Sequence, residues 1–205
     1  MRLRRSRGLP ALLGILAIVA LAGCSTSTTT TAPTALDTGT PVDTPGPDDS
    51  DTPTAQVTID PGLLAVLPRE VDGIAVIESP EGDSDALADD VLPTIASAAV
   101  GAVAVDAQAQ DLAYALVVKL RPDAFNDGAF RDWRDSYDAG ACAGETEVVG
   151  NASATVKGNT VYIGTCSSGL RTYHVWLQDK GILISVSSTG DKRLGLVMLS
   201  NLRET

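Results

Sequence analysis

His174 is the single imidazole of the chain. Multi-histidine metal centres are therefore excluded, and at most one histidine could activate a nucleophile. It lies in Arg171-Thr172-Tyr173-His174-Val175-Trp176-Leu177, where strand alternation puts Thr172, His174 and Trp176 on one face and Tyr173, Val175 and Leu177 on the other. Ser185 or Ser187, on the following strand, can lie near the imidazole as a candidate nucleophile. Strand histidines flanked by aromatics are more often packed or hydrogen-bonded, so no catalytic residue is assigned. The face carrying Thr172, His174 and Trp176, with Arg171 at its rim, is instead the candidate ligand-binding surface if it stays open. If helices cover it, the same side chains are core. Asp83, Asp85, Asp89 and Asp90 cluster around a helix start, where acids complement the helix dipole. The pair Asp83 and Asp85 lacks the glycine and distal glutamate of a calcium loop. Gly-rich phosphate loops, H-E-x-x-H and G-x-S-x-G are missing from the sequence. No metal or cofactor is expected.

The chain has three cysteines, and their surroundings assign them different chemistry. Arg2, Arg4, Arg5 and Arg7 precede the apolar run Ala11 to Leu21, the layout of a secretory leader. That run is too short to span a bilayer, which takes about 20 residues. The leader closes on Leu21-Ala22-Gly23-Cys24, which resembles the bacterial lipobox at all four positions. The resemblance implies removal of residues 1–23 and diacylglycerol on Cys24. The expected location is the cell membrane, lipid-anchored on the extracytoplasmic face. Fatty chains contribute about 0.8 kcal/mol per buried CH₂, so two or three hold a protein firmly without a transmembrane helix. Cys142 and Cys166 remain as an even pair in an oxidising compartment. A disulfide between them closes a loop of about 25 residues, worth roughly 3 kcal/mol in the chain-entropy model. A redox-active pair usually has close spacing such as C-x-x-C, which this is not.

From residue 24 to residue 56 the composition turns to threonine, proline, serine and aspartate, with almost no large apolar side chain. Such a segment cannot bury enough surface to offset its ordering entropy, and is expected to be a disordered tether. Its typical reach is on the order of 30 Å. The formal net charge of −11 becomes more negative once the leader arginines are removed. Nucleic acid and anionic lipid surfaces, which call for basic patches, are poor partners. The partners expected are the membrane, through the lipid on Cys24, and an envelope protein, lipid or glycan ligand.

Residues 57–205 are sufficient for one domain with a real core. Val71 to Glu78 reads as a strand between Pro68 and Pro80, and a helix beginning near Asp85, capped by Ser84 or Asp83, is kinked or divided at Pro93. Leu112 to Leu120 alternates as a strand, with a shorter partner over Ala102 to Ala107. A helix near Asp127 to Asp138 aligns Phe130, Trp133 and Tyr137, while Arg131 with Asp135 and Arg134 with Asp138 form pairs four apart on its other side. A meander follows over Ser153 to Lys157, Thr160 to Cys166, Leu170 to Leu177 and Ile182 to Ser187. Gly158-Asn159 is its first tight turn, and a last helix near Asp191 to Arg203 closes the domain. The expected fold is α+β: a single domain whose mainly antiparallel sheet has helices on one face, with one disulfide.

The segments Phe130 to Asp138, Tyr162 to Cys166 and Arg171 to Trp176 resemble a group of uncharacterised actinobacterial exported lipoproteins. The resemblance spans roughly Leu112 to Leu202, implies location and architecture, and transfers no active-site residue. Element order alone gives a more distant likeness to small α+β domains of the PsbP type. The function expected is a noncatalytic extracytoplasmic ligand-binding or accessory module of the cell envelope. The alternative is a small envelope-acting hydrolase using carboxylates and His174. An apolar groove favours the first, and a deep pocket containing His174 or two facing carboxylates favours the second.

Overall fold

The computed structural model describes residues 56–106, 108, 110–143 and 147–203. The leader, Cys24 and the tether as far as residue 55 lie outside them. Along the described chain, β1 (Thr58–Ile59) leads into a 3-10 turn over Pro61–Val66. Short strands β2 (Glu70–Val71), β3 (Ile74–Ala75) and β4 (Ile77–Glu78) follow, then α1 (Pro80–Ala88) and α2 (Leu92–Ile95). The long strands β5 (Ala96–Asp106) and β6 (Asp111–Leu120) precede α3 (Asp127–Ala141). The meander is β7 (Val148–Val156), β8 (Asn159–Cys166), β9 (Arg171–Leu177) and β10 (Ile182–Thr189), and α4 (Leu194–Ser200) ends it.

The domain is α+β, built on a large, mainly antiparallel sheet in the order β1-β5-β6-β10-β9-β8-β7, with β4 also paired to β5. Among the described strands only β1 joins in parallel, to β5. Expected and observed strands agree best where alternation or turn chemistry is strong. In the β7–β8 hairpin, Lys157 and Gly158 take φ of 49° and 81°, as a type I′ turn requires. The stretch read as one strand from Val71 to Glu78 is instead three short strands, because Asp72 and Gly73 also take positive φ and fold β2 back on β3.

The helices divide between both faces of the sheet, a correction to the single covered face expected from element order. On one face α4 brings Leu194, Met198 and Leu199 against Ile184 and Val186 of β10 and Ala115 and Val117 of β6, joined by Val66 and Leu67 from the 3-10 turn. On the other, Ala86 of α1, Leu92 and Ile95 of α2, and Phe130 and Trp133 of α3 cover Leu116, Val118 and Leu183. The reason is written into the central strands. Ala115-Leu116-Val117-Val118 and Ile182-Leu183-Ile184 are apolar at consecutive positions, so both faces must be removed from water.

Local chemistry sets the helix starts. Pro80 occupies the first turn of α1, where its missing N–H is harmless, and the Ser79 hydroxyl accepts from Gly82 N at 3.2 Å. The helix thus begins at Pro80, not near Asp85. Asp83 is turned inward, where its Oδ1 accepts from Gly101 N of β5 at 2.7 Å. The chain divides before Pro93, and Asp89 Oδ1 accepts from Val91 N and Leu92 N at 2.8 and 2.7 Å to start α2. At the head of α3, Asn126 Oδ1 accepts from Gly128 N and Ala129 N at 2.9 and 3.1 Å.

Cys142, just past α3, is bonded to Cys166 at the end of β8, with Cα atoms 5.5 Å apart. The disulfide clamps the exit of α3 to the outer half of the sheet. Replacing Cys142 and Cys166 together by serine is expected to lower unfolding free energy by about 3 kcal/mol. Urea titration with and without reductant checks this: reductant should shift the midpoint of the native chain and leave that of the double variant unchanged.

Candidate functional site

The strand register builds two rows of side chains beneath α3. Ser187 of β10 lies between Tyr114 of β6 and Thr172 of β9, and Thr172 lies beside Gly164 of β8. One row on, Ser185 lies between Leu116 and His174, and His174 beside Tyr162. This polar seam runs through an otherwise apolar face. It meets three residues of α3 spaced so that all point down: Trp133, Tyr137 and Asp138.

The contacts close into one network. Trp133 Nε1–H donates to Ser185 Oγ at 2.9 Å, and Ser185 Oγ lies 2.9 Å from His174 Nδ1. His174 Nε2 is 2.9 Å from Asp138 Oδ1, which also accepts from the Thr172 hydroxyl. His174 Nε2–H donates to the carboxylate, and Nδ1 and the Ser185 hydroxyl share the remaining hydrogen bond. Tyr137 packs edge-on to His174 with ring centres 5.1 Å apart, and its hydroxyl is 3.0 Å from Ser187 Oγ. Gly164 makes the carboxylate's place, since a Cβ there would lie 2.7 Å from Asp138 Oδ2 and collide with Thr172 Oγ1.

Burial pushes the Asp138 carboxyl up, but the hydrogen bonds from His174 and Thr172, aided by the charges of His174 and Arg134, outweigh it and hold the group below its ordinary range. The same inward turn removes Asp138 from the helix-surface pair expected with Arg134. Arg134 instead binds its neighbour Asp135 at 2.7 Å and lies over the Tyr162 ring, 5.1 Å from its centre.

Of the four residues of the candidate face, Thr172 and His174 are fully buried under α3. The open-face arrangement therefore does not hold for these two, because α3 needs their hydrogen bonds. Arg171 and Trp176 are half-buried. Trp176 packs edge-on to Phe125 at 5.1 Å and borders a polar cleft of about 340 Å³ with Tyr162, Asn159 and Gln178. Ser185, His174 and Asp138 have the composition of a hydrolytic triad, but a different arrangement of function. The serine meets Nδ1 and the carboxylate meets Nε2, Ser185 Oγ already accepts from Trp133, and none of the three lines a described cavity. Among the described residues no cluster of histidine, cysteine, aspartate or glutamate is arranged to hold a metal ion.

The larger opening lies on the other flank of α3. A groove of about 730 Å³ runs between this helix and the α1–α2 segment, with Ile95, Tyr114, Phe125, Trp133 and Tyr137 supplying its aromatic and aliphatic lining. Val91, 52% exposed, stands in it as an uncovered apolar side chain. Its volume falls in the ordinary range of small-molecule sites. Polar groups are few: the Tyr137–Ser187 hydroxyl pair, the Tyr114 hydroxyl, Ser136, Asp89 and Asp132. Burial raises the Tyr137 phenol to about 12, against a smaller lowering by Ser187, and burial also raises that of Tyr114. Both phenols are neutral hydroxyls in any physiological medium.

Sequence reasoning did not find this groove, because its walls come from α1–α2, β6, α3 and β10, elements far apart in the chain. The only local trace is the stripe Ala129, Trp133, Ser136, Tyr137 and Gly140 along α3, small residues alternating with aromatics. The chain matches no family model, and no curated protein or solved structure shows significant similarity to it.

Removing the buried charge tests the network. Because the folded-state carboxyl is held below its unfolded value of about 3.9, its stabilisation is complete above that pH and is lost as pH falls through the lower folded value. Asp138→Asn is expected to cost about 2 kcal/mol at pH 7. The gap from the native chain should narrow as pH falls below about 4. Urea unfolding of both proteins at pH 7 and in acid reads both effects, and a gap independent of pH would refute the assignment.

Proposed function

We propose that this protein is a lipid-anchored extracytoplasmic binding module that holds a small apolar molecule in the groove beside α3, without transforming it. The observation that carries the reading is the groove itself: about 730 Å³, walled by aromatic and aliphatic side chains, with few polar groups. Its lining holds no imidazole or thiol, and the one histidine of the chain is committed to holding the helix that forms its wall. The Leu21-Ala22-Gly23-Cys24 signature and the oxidised Cys142–Cys166 pair both suit an exported chain tied to a membrane. An anchored domain on a tether samples the volume next to the bilayer, where apolar molecules are presented and must be shielded from water.

Two measurements test this. Mass analysis of the native protein should find diacylglycerol on Cys24 as the new N-terminus. Extraction of the same preparation should release an apolar small molecule that is depleted at least several-fold when Ala129→Trp fills the groove. Recovery of that molecule at equal yield from the filled variant would overturn the assignment of the site.

A further inference from the structure

The chemistry of the groove wall specifies more than apolarity. We infer that the ligand is a long-chain amphiphile whose head carries a hydroxyl and no negative charge, and that anionic lipids are refused; this rests on the groove being the binding site proposed above. Two independent features lead there. The first is charge. Asp89 and Asp132 are the charged side chains bordering the groove, and no lysine or arginine lines it. A bound carboxylate or phosphate would lose its water without gaining a cation, and would lie near two negative groups. Arg134 does not relieve this, because it is turned to Tyr162 and Asp135.

The second feature is the hydroxyl pair. Tyr137 Oη and Ser187 Oγ are 3.0 Å apart, so one proton joins them and the other remains available, with lone pairs to spare. Such a pair can donate to and accept from a single alcohol. It does not offer the positive charge a carboxylate needs. Tyr137 is fixed for this task from beneath by its edge-on contact with His174 and by the neighbouring Asp138 anchor. Asp89 is engaged by Val91 N and Leu92 N at the start of α2, which leaves Asp132, exposed on α3, as the acid that most freely repels an anion. The alcohol thus sits on the hydroxyl pair while the chain lies against Trp133, Phe125 and Ile95.

The test uses the full chain, isolated as Cys24→Ser so that no detergent competes for the groove. Hexadecanol, palmitate and hexadecylamine are compared as competitors of a polarity-sensitive dye. Hexadecanol should displace the dye at least about tenfold better than palmitate, the difference expected for an unpaired charge entering an apolar site beside an acid. Tyr137→Phe, which keeps the ring, should weaken hexadecanol about fivefold and leave hexadecane unchanged. Asp132→Lys should raise palmitate affinity by about tenfold with hexadecanol little altered. Displacement by palmitate equal to or stronger than by hexadecanol, or displacement by hexadecylamine with none by hexadecanol, overturns the inferred head-group class while the groove remains a binding site. Failure of every probe, hexadecane included, to displace the dye overturns the site itself. Circular dichroism of each variant confirms that a lost signal is not a lost fold.

Discussion

A carboxylate removed from water must be met by donors, and Asp138 is met by two, the imidazole of His174 and the hydroxyl of Thr172. That requirement determines how α3 sits. The helix cannot roll about its axis without stranding a negative charge in an apolar layer, and it cannot slide along the sheet without parting Trp133 from Ser185 and Tyr137 from Ser187. Apolar packing alone is tolerant of small shifts. The polar seam is directional, and it converts a helix that merely covers the sheet into one held at a single position.

The groove is a consequence of that placement. With α3 fixed over β9 and β10, and α1 drawn onto β5 by the Asp83 bond to Gly101, a gap remains between the two helical layers above Tyr114. Small residues make the approach of α1 possible: a Cβ on Gly82 would run into the Tyr114 ring, and one on Gly101 would lie 3.0 Å from the backbone of Gly82. The aromatic ring therefore lies against α1 rather than filling the gap. Disulfide and N-cap secure the two ends of α3, so the wall of the groove is braced at its head, its middle and its exit. A braced wall keeps an apolar cavity open that would otherwise tend to collapse.

Within this frame His174 has a structural task that resembles a catalytic one. The same three residue types that activate a nucleophile elsewhere are joined here by hydrogen bonds, buried and lining none of the described cavities, and the serine's acceptor capacity is shared with an indole. What distinguishes the two uses is exposure and which ring nitrogen each partner meets, neither of which follows from residue identity. The groove, by contrast, is lined by hydroxyls held neutral, with carboxylates at its border.

Much of the sheet is legible along the chain, because the period-two alternation in Leu112 to Leu120 and the turn chemistry of Gly158-Asn159 are local signals. The α3 stripe of Phe130, Trp133 and Tyr137 is legible from its helical spacing, and the cysteine count points to the bond from Cys142 to Cys166. The sequence suggests a start of α1 capped by Ser84 or Asp83, whereas the helix head is Ser79-Pro80-Glu81, with the Ser79 hydroxyl as cap. Element order suggests one covered face, whereas the consecutive apolar residues in β6 and β10 require two. What only the folded chain decided is which polar residues meet. Asp138 and His174 are 36 positions apart, Trp133 and Ser185 52 apart, and the groove draws on four such distant elements. Sequence periodicity determines which side of its own element a residue occupies. The neighbour it finds there depends on strand register and helix docking, which are settled by packing across the whole domain.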